Sequence, residues 1–293
     1  MNIKEGLGGA IGHHGELLQG VFEGDGGSLH RGLVSLPCRH LVSKARFVAN
    51  GHVGVSVMPQ RCEKARRAAE LALDRFSPAR ANGQLTIETN IPIGRGMGSS
   101  TADVLSSILA VFDYLQIQPK FEWVMQIAVN AETACDSTLF SPAVTLFAQR
   151  EGFVIEAFRN SLPRIDLISI DTVAAEDVNT VELKPAAYNQ IEIETFRSLR
   201  AGLRNAIEMS DIYLLGRVAT ASTRINNRFL ENPDLDRIEA IGARRGAVGL
   251  QASHSGTVLG LMFDPSSVET PDNMGMALHE LSESAFNISI LHI

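Results

Sequence analysis

The stretch Ile91-Pro-Ile-Gly94-Arg-Gly96-Met-Gly98-Ser99-Ser100-Thr101-Ala-Asp103 decides how the rest of the chain is read. Gln84 to Asn90 lead into it, with Leu85 and Ile87 alternating against polar neighbours, so a strand is expected there. Beyond it, Ala102, Leu105, Leu109, Phe112 and Leu115 recur at helical spacing, which predicts a helix with one buried face. Between strand and helix, Gly94, Gly96 and Gly98 allow positive φ and a close approach of backbone to ligand. Ser99, Ser100 and Thr101 fall where the helix begins, so hydroxyls stand beside unpaired N–H groups at the positive end of the helix dipole. That arrangement is an anion site, most often for phosphate. The competing reading is a flexible glycine-rich connection capped by serine.

Two common phosphate loops do not fit. A Walker-type loop needs Lys after its last glycine, and Ser99 follows Gly98. A dinucleotide fingerprint counted from Gly94 needs a third glycine where Ser99 stands. Pro92-x-x-x-Gly96-Met97-Gly98-Ser99-Ser100-Thr101-Ala102 instead resembles the P-x-x-x-G-L-G-S-S-A-A phosphate-binding motif of the GHMP kinases. Members of that family phosphorylate hydroxyls of small molecules such as galactose, homoserine and mevalonate. The resemblance implies that Pro92, Gly94, Arg95, Gly96, Met97, Gly98, Ser99, Ser100 and Thr101 bind ATP.

Composition narrows the alternatives. The 293 residues suit one large domain or two moderate ones, and 45% hydrophobic with 20% charged residues is ordinary for a globular chain. A net charge of −7 argues against nucleic acid or an anionic membrane as the main ligand. Met1 to Gly12 shows no secretion signal and no apolar run approaches bilayer length, so a cytoplasmic protein is expected. Cys38, Cys62 and Cys135 lie far apart and suggest neither a disulfide framework nor a zinc cluster.

Near the N-terminus, Gly9-Ala-Ile-Gly12-His13-His14-Gly15-Glu16-Leu-Leu-Gln19-Gly20 reads on its own as a glycine-rich hairpin with solvated histidines. Beside the phosphate loop it resembles the first GHMP motif, a Gly-Glu pair lining the substrate pocket. Gly15-Glu16-Leu17-Leu18-Gln19-Gly20 is similar to the G-E-L-[IL]-Q-G of the L-threonine kinase branch, tied to cobalamin side-chain synthesis and propanediol utilisation. Glu16 and Gln19 are therefore substrate-side candidates. His13 and His14 depart from the family's small or Cys-containing lead-in and receive no role from it.

A second helix, roughly Glu122 to Ala134 with Trp123 packed on its apolar face, delivers Glu132 and Asp136. A Glu and an Asp four apart stay close whether or not the helix continues. Phosphoryl transfer needs a carboxylate for Mg²⁺ and often another to orient or deprotonate the attacking hydroxyl, although a helix-end pair is also often just solvated. The resemblance implies that Glu132 and Ser100 hold Mg²⁺ and that Asp136 is the candidate base. The Glu132–Asp136 spacing is shorter than in the sugar and mevalonate branches. Ser253-His254-Ser255-Gly256-Thr257 echoes the third family motif, adding His254 and Ser255 to the substrate side; a buried, hydrogen-bonded histidine is the alternative for His254.

Strands are expected over Leu33 to Phe47, His52 to Met58, Thr145 to Ala148, Gly152 to Phe158, Arg164 to Asp171, Val258 to Phe263 and Phe286 to Ile290. Helices are expected over Cys62 to Phe76, Tyr188 to Met209, Asp211 to Leu230 and Asp272 to Ser284. Arg31, Arg39 and Lys44 read as solvated charges. With a polar link over Ala174 to Thr180, the chain divides into two packed halves, 1–162 and 163–293. The resemblance implies an α+β, two-domain GHMP kinase-like fold: an N-terminal half like ribosomal protein S5 domain 2 and a ferredoxin-like C-terminal half. It also implies transfer of the γ-phosphoryl group of ATP, with Mg²⁺, to a small-molecule hydroxyl. L-threonine, giving O-phospho-L-threonine, is the first choice of acceptor. Another amino acid, amino alcohol or polyol, or a nucleotide-binding module without turnover, are the rivals. No nucleic-acid or membrane partner is expected, and the chain is expected to be a monomer or homodimer.

Overall fold

Two long antiparallel strands, β1 (Glu5–Glu23) and β2 (Leu29–Ala49), form the spine of the computed structural model, which describes residues 4–50, 54–77, 82–172, 186–254 and 256–293. On the far side of β2 lie β4 (Gly83–Thr89), antiparallel to it, and β3 (Val55–Met58), parallel to β4. A hairpin of β5 (Thr145–Ala148) and β6 (Phe153–Ala157) joins β2 at Gly32 and Leu33. Beyond β1 come β8 (Gly249–Ala252), β9 (Val258–Phe263), β7 (Asp166–Asp171) and the edge strand β10 (Asn287–His292), all antiparallel. β1 meets β8 through the pair Glu16 and Ala252, so the two wings of the sheet are joined at a proposed site residue.

Helices cover the sheet. α1 (Glu63–Phe76), α2 (Ser99–Leu115) and α3 (Phe121–Glu132) pack on the β2–β4 wing around Phe47, Leu85, Leu105, Phe112 and Met125. α4 (Gln190–Glu208) opens on a capping box in which Asn189 and Glu192 satisfy each other's backbone N–H. With α5 (Ile212–Asn226) it covers a second core of Leu17, Leu18, Phe22, Phe158, Leu167 and Phe196. That core takes side chains from both sides of residue 162. α6 (Leu235–Arg244) and α7 (Thr270–Ser282) bury Ile168, Leu259, Leu261 and Phe263 in a third. The fold is mixed α and β, with a curled sheet. No helix among the described residues is long and apolar enough to cross a membrane.

Several expectations are corrected. Gly9 to Gly15 is no hairpin turn; it lies inside β1. Two glycines just before it serve close packing: a Cβ on Gly6 would sit 2.1 Å from the Ala110 carbonyl oxygen, and one on Gly8 2.0 Å from that of Ser106. α2 therefore rests directly on the strand backbone. His13 and His14 are fully buried, not solvated. Arg31 is also drawn in, donating to the Ala186 carbonyl with its guanidinium over the Tyr188 ring. The glycine-rich segment after Gly246 contains β8, and α6 fills a stretch where no element was expected. α5 stops at Asn226, short of Leu230. His52, Ser255 and the Ala174–Thr180 link lie outside the described residues.

Candidate active site

The strand-loop-helix unit at Gln84 to Leu115 forms as its sequence predicts, and three glycines of its turn hold positive φ: Gly94 at 71°, Gly96 at 64° and Gly98 at 78°. Gly98 is the residue before α2, in the left-handed region that only glycine enters without strain. Met97 turns its side chain down onto Ile91, Ala102 and Val258, anchoring the loop and leaving backbone to face a ligand. Arg95 Nε lies 3.0 Å from Asp171 Oδ2, which ties the loop to the end of β7. Pro92 is exposed at the entrance.

The two distant motifs close on this loop by backbone hydrogen bonds. His13 N–H donates to the Met97 carbonyl at 3.1 Å, and His254 N–H donates to the Gly96 carbonyl at 3.2 Å. Gln19 and His254 also meet, Nδ1 to Oε1 at 3.3 Å. Burial, and secondarily His13, hold the His254 ring below its ordinary pKa although Asp136 pulls the other way, so the ring is neutral and can donate to the amide oxygen.

At the start of α2, Ser100 Oγ donates to Glu132 Oε2, and Thr101 Oγ1 donates to Glu132 Oε1 at 2.6 Å. Lys64 Nζ stands 3.7 Å from Oε2. Burial raises the Glu132 pKa; Ser100, Thr101 and Lys64 work against that rise. A hydroxyl and a carboxylate side by side, with the glycine turn next to them, are hard oxygen donors of the kind Mg²⁺ takes, so these residues fit the ion. α3 ends at Glu132 because Thr133 turns to φ 79°, and the chain then carries Asp136 to a different neighbour.

That neighbour is His13. Its Nε2 lies 3.1 Å from Asp136 Oδ2, an ion-pair contact, while its Nδ1 lies 3.6 Å from Glu16 Oε1. In a regular strand residues 13 and 16 would point to opposite faces. Register shifts in β1 between His13 and Glu16, and Gly15 at φ 71°, bring them together. Burial opposes a charge on His13, but Asp136 and then Glu16 outweigh it and raise its pKa to about 9. Asp136 is likewise pushed up by burial and pulled further down by His13, to about 2. Burial raises Glu16 to about 7 against the pull of His13. His13, Glu16 and Asp136 place one ligand atom each within 4.8 Å of one another.

Glu16 and Gln19 also line a small polar cleft with Ser222, Asn226 and Ser253. α5 is clamped to β1 there: Ser222 Oγ accepts from Gln19 N–H at 3.0 Å, and Asn226 Nδ2 donates to the Gln19 carbonyl at 2.8 Å. Both Glu16 oxygens are buried without a hydrogen bond. His13, Lys64, Ser222 and Asn226 all escaped sequence reasoning. For the α5 pair a signal existed, since Ser222, Thr223 and Asn226 are polar residues on a helix face that packs against β1.

The family described as GHMP kinases N terminal domain matches residues 63–142. That segment of the chain is similar to a GHMP kinase N-terminal domain, and the whole chain has the fold of solved homoserine and mevalonate kinases. It is 29% identical to the L-threonine kinase of Citrobacter freundii over 62% of this chain, and spans 62% of that relative's length. It is 27% identical to the homoserine kinase of Desulfitobacterium hafniense over 70% of this chain and 71% of the relative. The crystal structure of a homoserine kinase from Cytophaga hutchinsonii superposes with a TM-score of 0.71, covering 100% of this chain and 95% of the other at 14% identity. The expected fold is thereby borne out.

Proposed function

We propose that the protein transfers the γ-phosphoryl group of ATP to the hydroxyl of a small amino acid, L-threonine first. The observation that carries this is the meeting of three distant segments. A glycine turn opens a helix whose Ser100 hydroxyl sits on the buried Glu132, and Asp136 stands beside that turn next to a polar cleft headed by Glu16. The Gly96 to Thr101 backbone N–H groups and hydroxyls would cradle the phosphates. Ser100 and Glu132 would hold Mg²⁺, which when bound neutralises charge on the transferring group. Asp136, ionised across the neutral range, orients the acceptor hydroxyl and takes its proton as the new O–P bond forms and the bond to ADP breaks. A loose transition state asks little of a base, which suits a carboxylate with so low a pKa. The reading places the reaction in the cleft between the halves 1–162 and 163–293.

The acceptor choice rests on the cleft and on the relatives. Glu16 offers a buried carboxyl beside the His13 ring whose oxygens accept no hydrogen bond, and the Gln19 amide stands at the same cleft, where Ser222 and Asn226 hold α5 to β1. An amino acid or amino alcohol matches that set better than a sugar does. The similarity to an L-threonine kinase favours L-threonine, and the longer match to a homoserine kinase supports L-homoserine as the second reading. ADP release from Mg·ATP with L-threonine, L-serine, L-homoserine, ethanolamine, 1-amino-2-propanol, mevalonate and galactose tests this. Stimulation by L-threonine above the others is expected. A preference for mevalonate or galactose would overturn the acceptor class, and silence with ATP bound would overturn the kinase reading.

A further inference from the structure

His13 is fully buried against the proposed chemistry and has no task in the reaction above. Three contacts fix it there. Its backbone N–H holds the phosphate loop at Met97, its Nε2 meets Asp136 Oδ2 at 3.1 Å, and its ring lies against Gly98. A Cβ on Gly98 would fall 2.5 Å from His13 Cδ2 and 3.2 Å from Asp136 Oδ2, so loop, imidazole and carboxylate are stacked without spare room. Glu16 and Asp136 flank different ring nitrogens, Nδ1 and Nε2; Nδ1 donates to the Gly15 carbonyl at 3.3 Å, with Glu16 Oε1 beside it at 3.6 Å. That is the placement of a cation between two carboxylates, held on one side by Asp136 and flanked on the other by the Gly15 carbonyl and Glu16.

We propose, building on the kinase reading, that His13 is a positioning residue whose imidazolium bridges Glu16 and Asp136 and holds the Asp136 carboxylate aimed at the acceptor hydroxyl beside the phosphate loop. The charged and titratable groups around the ring agree with it. Glu16 on β1 and Asp136 after α3 favour its charge, and their pull exceeds the cost of burial, raising its pKa to about 9. His14, on the same strand, is held neutral by burial, at about 4, and hydrogen-bonds Ser169 at 2.7 Å and Gln251 away from the site. His254, from the β8–β9 turn, is also lowered by burial. His13 is thus the cation of this pocket, and the adjacent His14 is a structural tie between β1, β7 and β8.

The test uses the full chain as His13→Asn and His13→Lys, with folding checked by circular dichroism and Mg·ATP binding by calorimetry. With the acceptor that the wild type turns over, His13→Asn is expected to lower kcat by about ten- to a hundredfold while KM for Mg·ATP stays within about twofold. The wild-type rate should fall above roughly pH 9 as the ring loses its proton, and this limb should vanish in His13→Asn. His13→Lys should recover part of kcat. A second readout needs no turnover: imidazole ¹⁵N shifts of the wild type should show a doubly protonated His13 up to roughly pH 9, and Asp136→Asn should lower that midpoint by at least about one unit. Unchanged kcat in His13→Asn, or a lowered kcat with the basic limb intact, would overturn the proposal. So would a ring already neutral at pH 7. If the wild type turns over no acceptor, the kinase reading fails separately, and the ¹⁵N shifts still decide whether His13 is the bridging cation.

Discussion

Glu132 and Asp136 stand four residues apart and live in opposite surroundings. Glu132 is wrapped by the Ser100 and Thr101 hydroxyls with Lys64 behind them, and burial holds its pKa up. Asp136 faces a buried imidazole, and its pKa is held down to about 2. Two carboxylates whose environments push them apart are suited to different work. The break at Thr133 makes the difference, since it turns the chain away from the α3 axis between them. In the proposed reaction the first would hold a cation among hydroxyls and the second would take the proton of the acceptor.

The largest effects should come from the carboxylates themselves. Glu132→Gln and Asp136→Asn are each expected to cut turnover by about 10²–10⁴-fold in an ADP-release assay, with the fold retained. Full activity in either variant breaks the comparison. Gly98→Ala attacks the Asp136 cluster: it places a methyl against His13 and Asp136 at a φ of 78°. It should cost on the order of 1–3 kcal/mol in a denaturant melt and most of the turnover. Glu16→Gln sharpens the substrate side: KM for the amino-acid acceptor should rise about ten- to a hundredfold while KM for Mg·ATP holds.

The last effect is on stability against pH. His13 has its pKa raised from 6.5 to about 9, so the stability it contributes is complete below 6.5 and is lost as pH climbs to 9. Asp136 has its pKa lowered from 3.8 to about 2, so its contribution is present above 3.8 and is lost as pH falls toward 2. Glu16, raised from 4.5 to about 7, costs stability as it ionises over that span. Between pH 6.5 and 9 the wild type should therefore lose on the order of 2–3 kcal/mol more than His13→Asn does, read from paired urea melts. Equal losses in the two proteins would show that His13 carries no charge to lose.

Much of this site could be read along the chain, and the unread parts share a cause. The phosphate loop was legible because its strand, glycines, hydroxyls and helix are contiguous. Glu16, Gln19 and His254 were legible only through resemblance, because nothing local says that residues 235 apart will share a hydrogen bond. His13 was passed over because glycine and histidine in a row look loose and solvated. Gly6 and Gly8 are there for α2 to lie on the strand, Gly12 lies against the Met97 carbonyl of the phosphate loop, and the bulged strand turns His13 inward to Asp136. α6 left a trace in the spacing of Leu235, Ile238 and Ile241, but its shortness hid it. The polar lining on α5 shows only once β1 is packed against it.

The division of labour between the two carboxylates is tested most directly by calorimetric binding of ATP with and without Mg²⁺ to Glu132→Gln and Asp136→Asn. Asp136→Asn should keep the tightening of ATP binding that Mg²⁺ brings, and Glu132→Gln should lose it. Loss in Asp136→Asn with retention in Glu132→Gln, or the same response in both, would contradict the assignment.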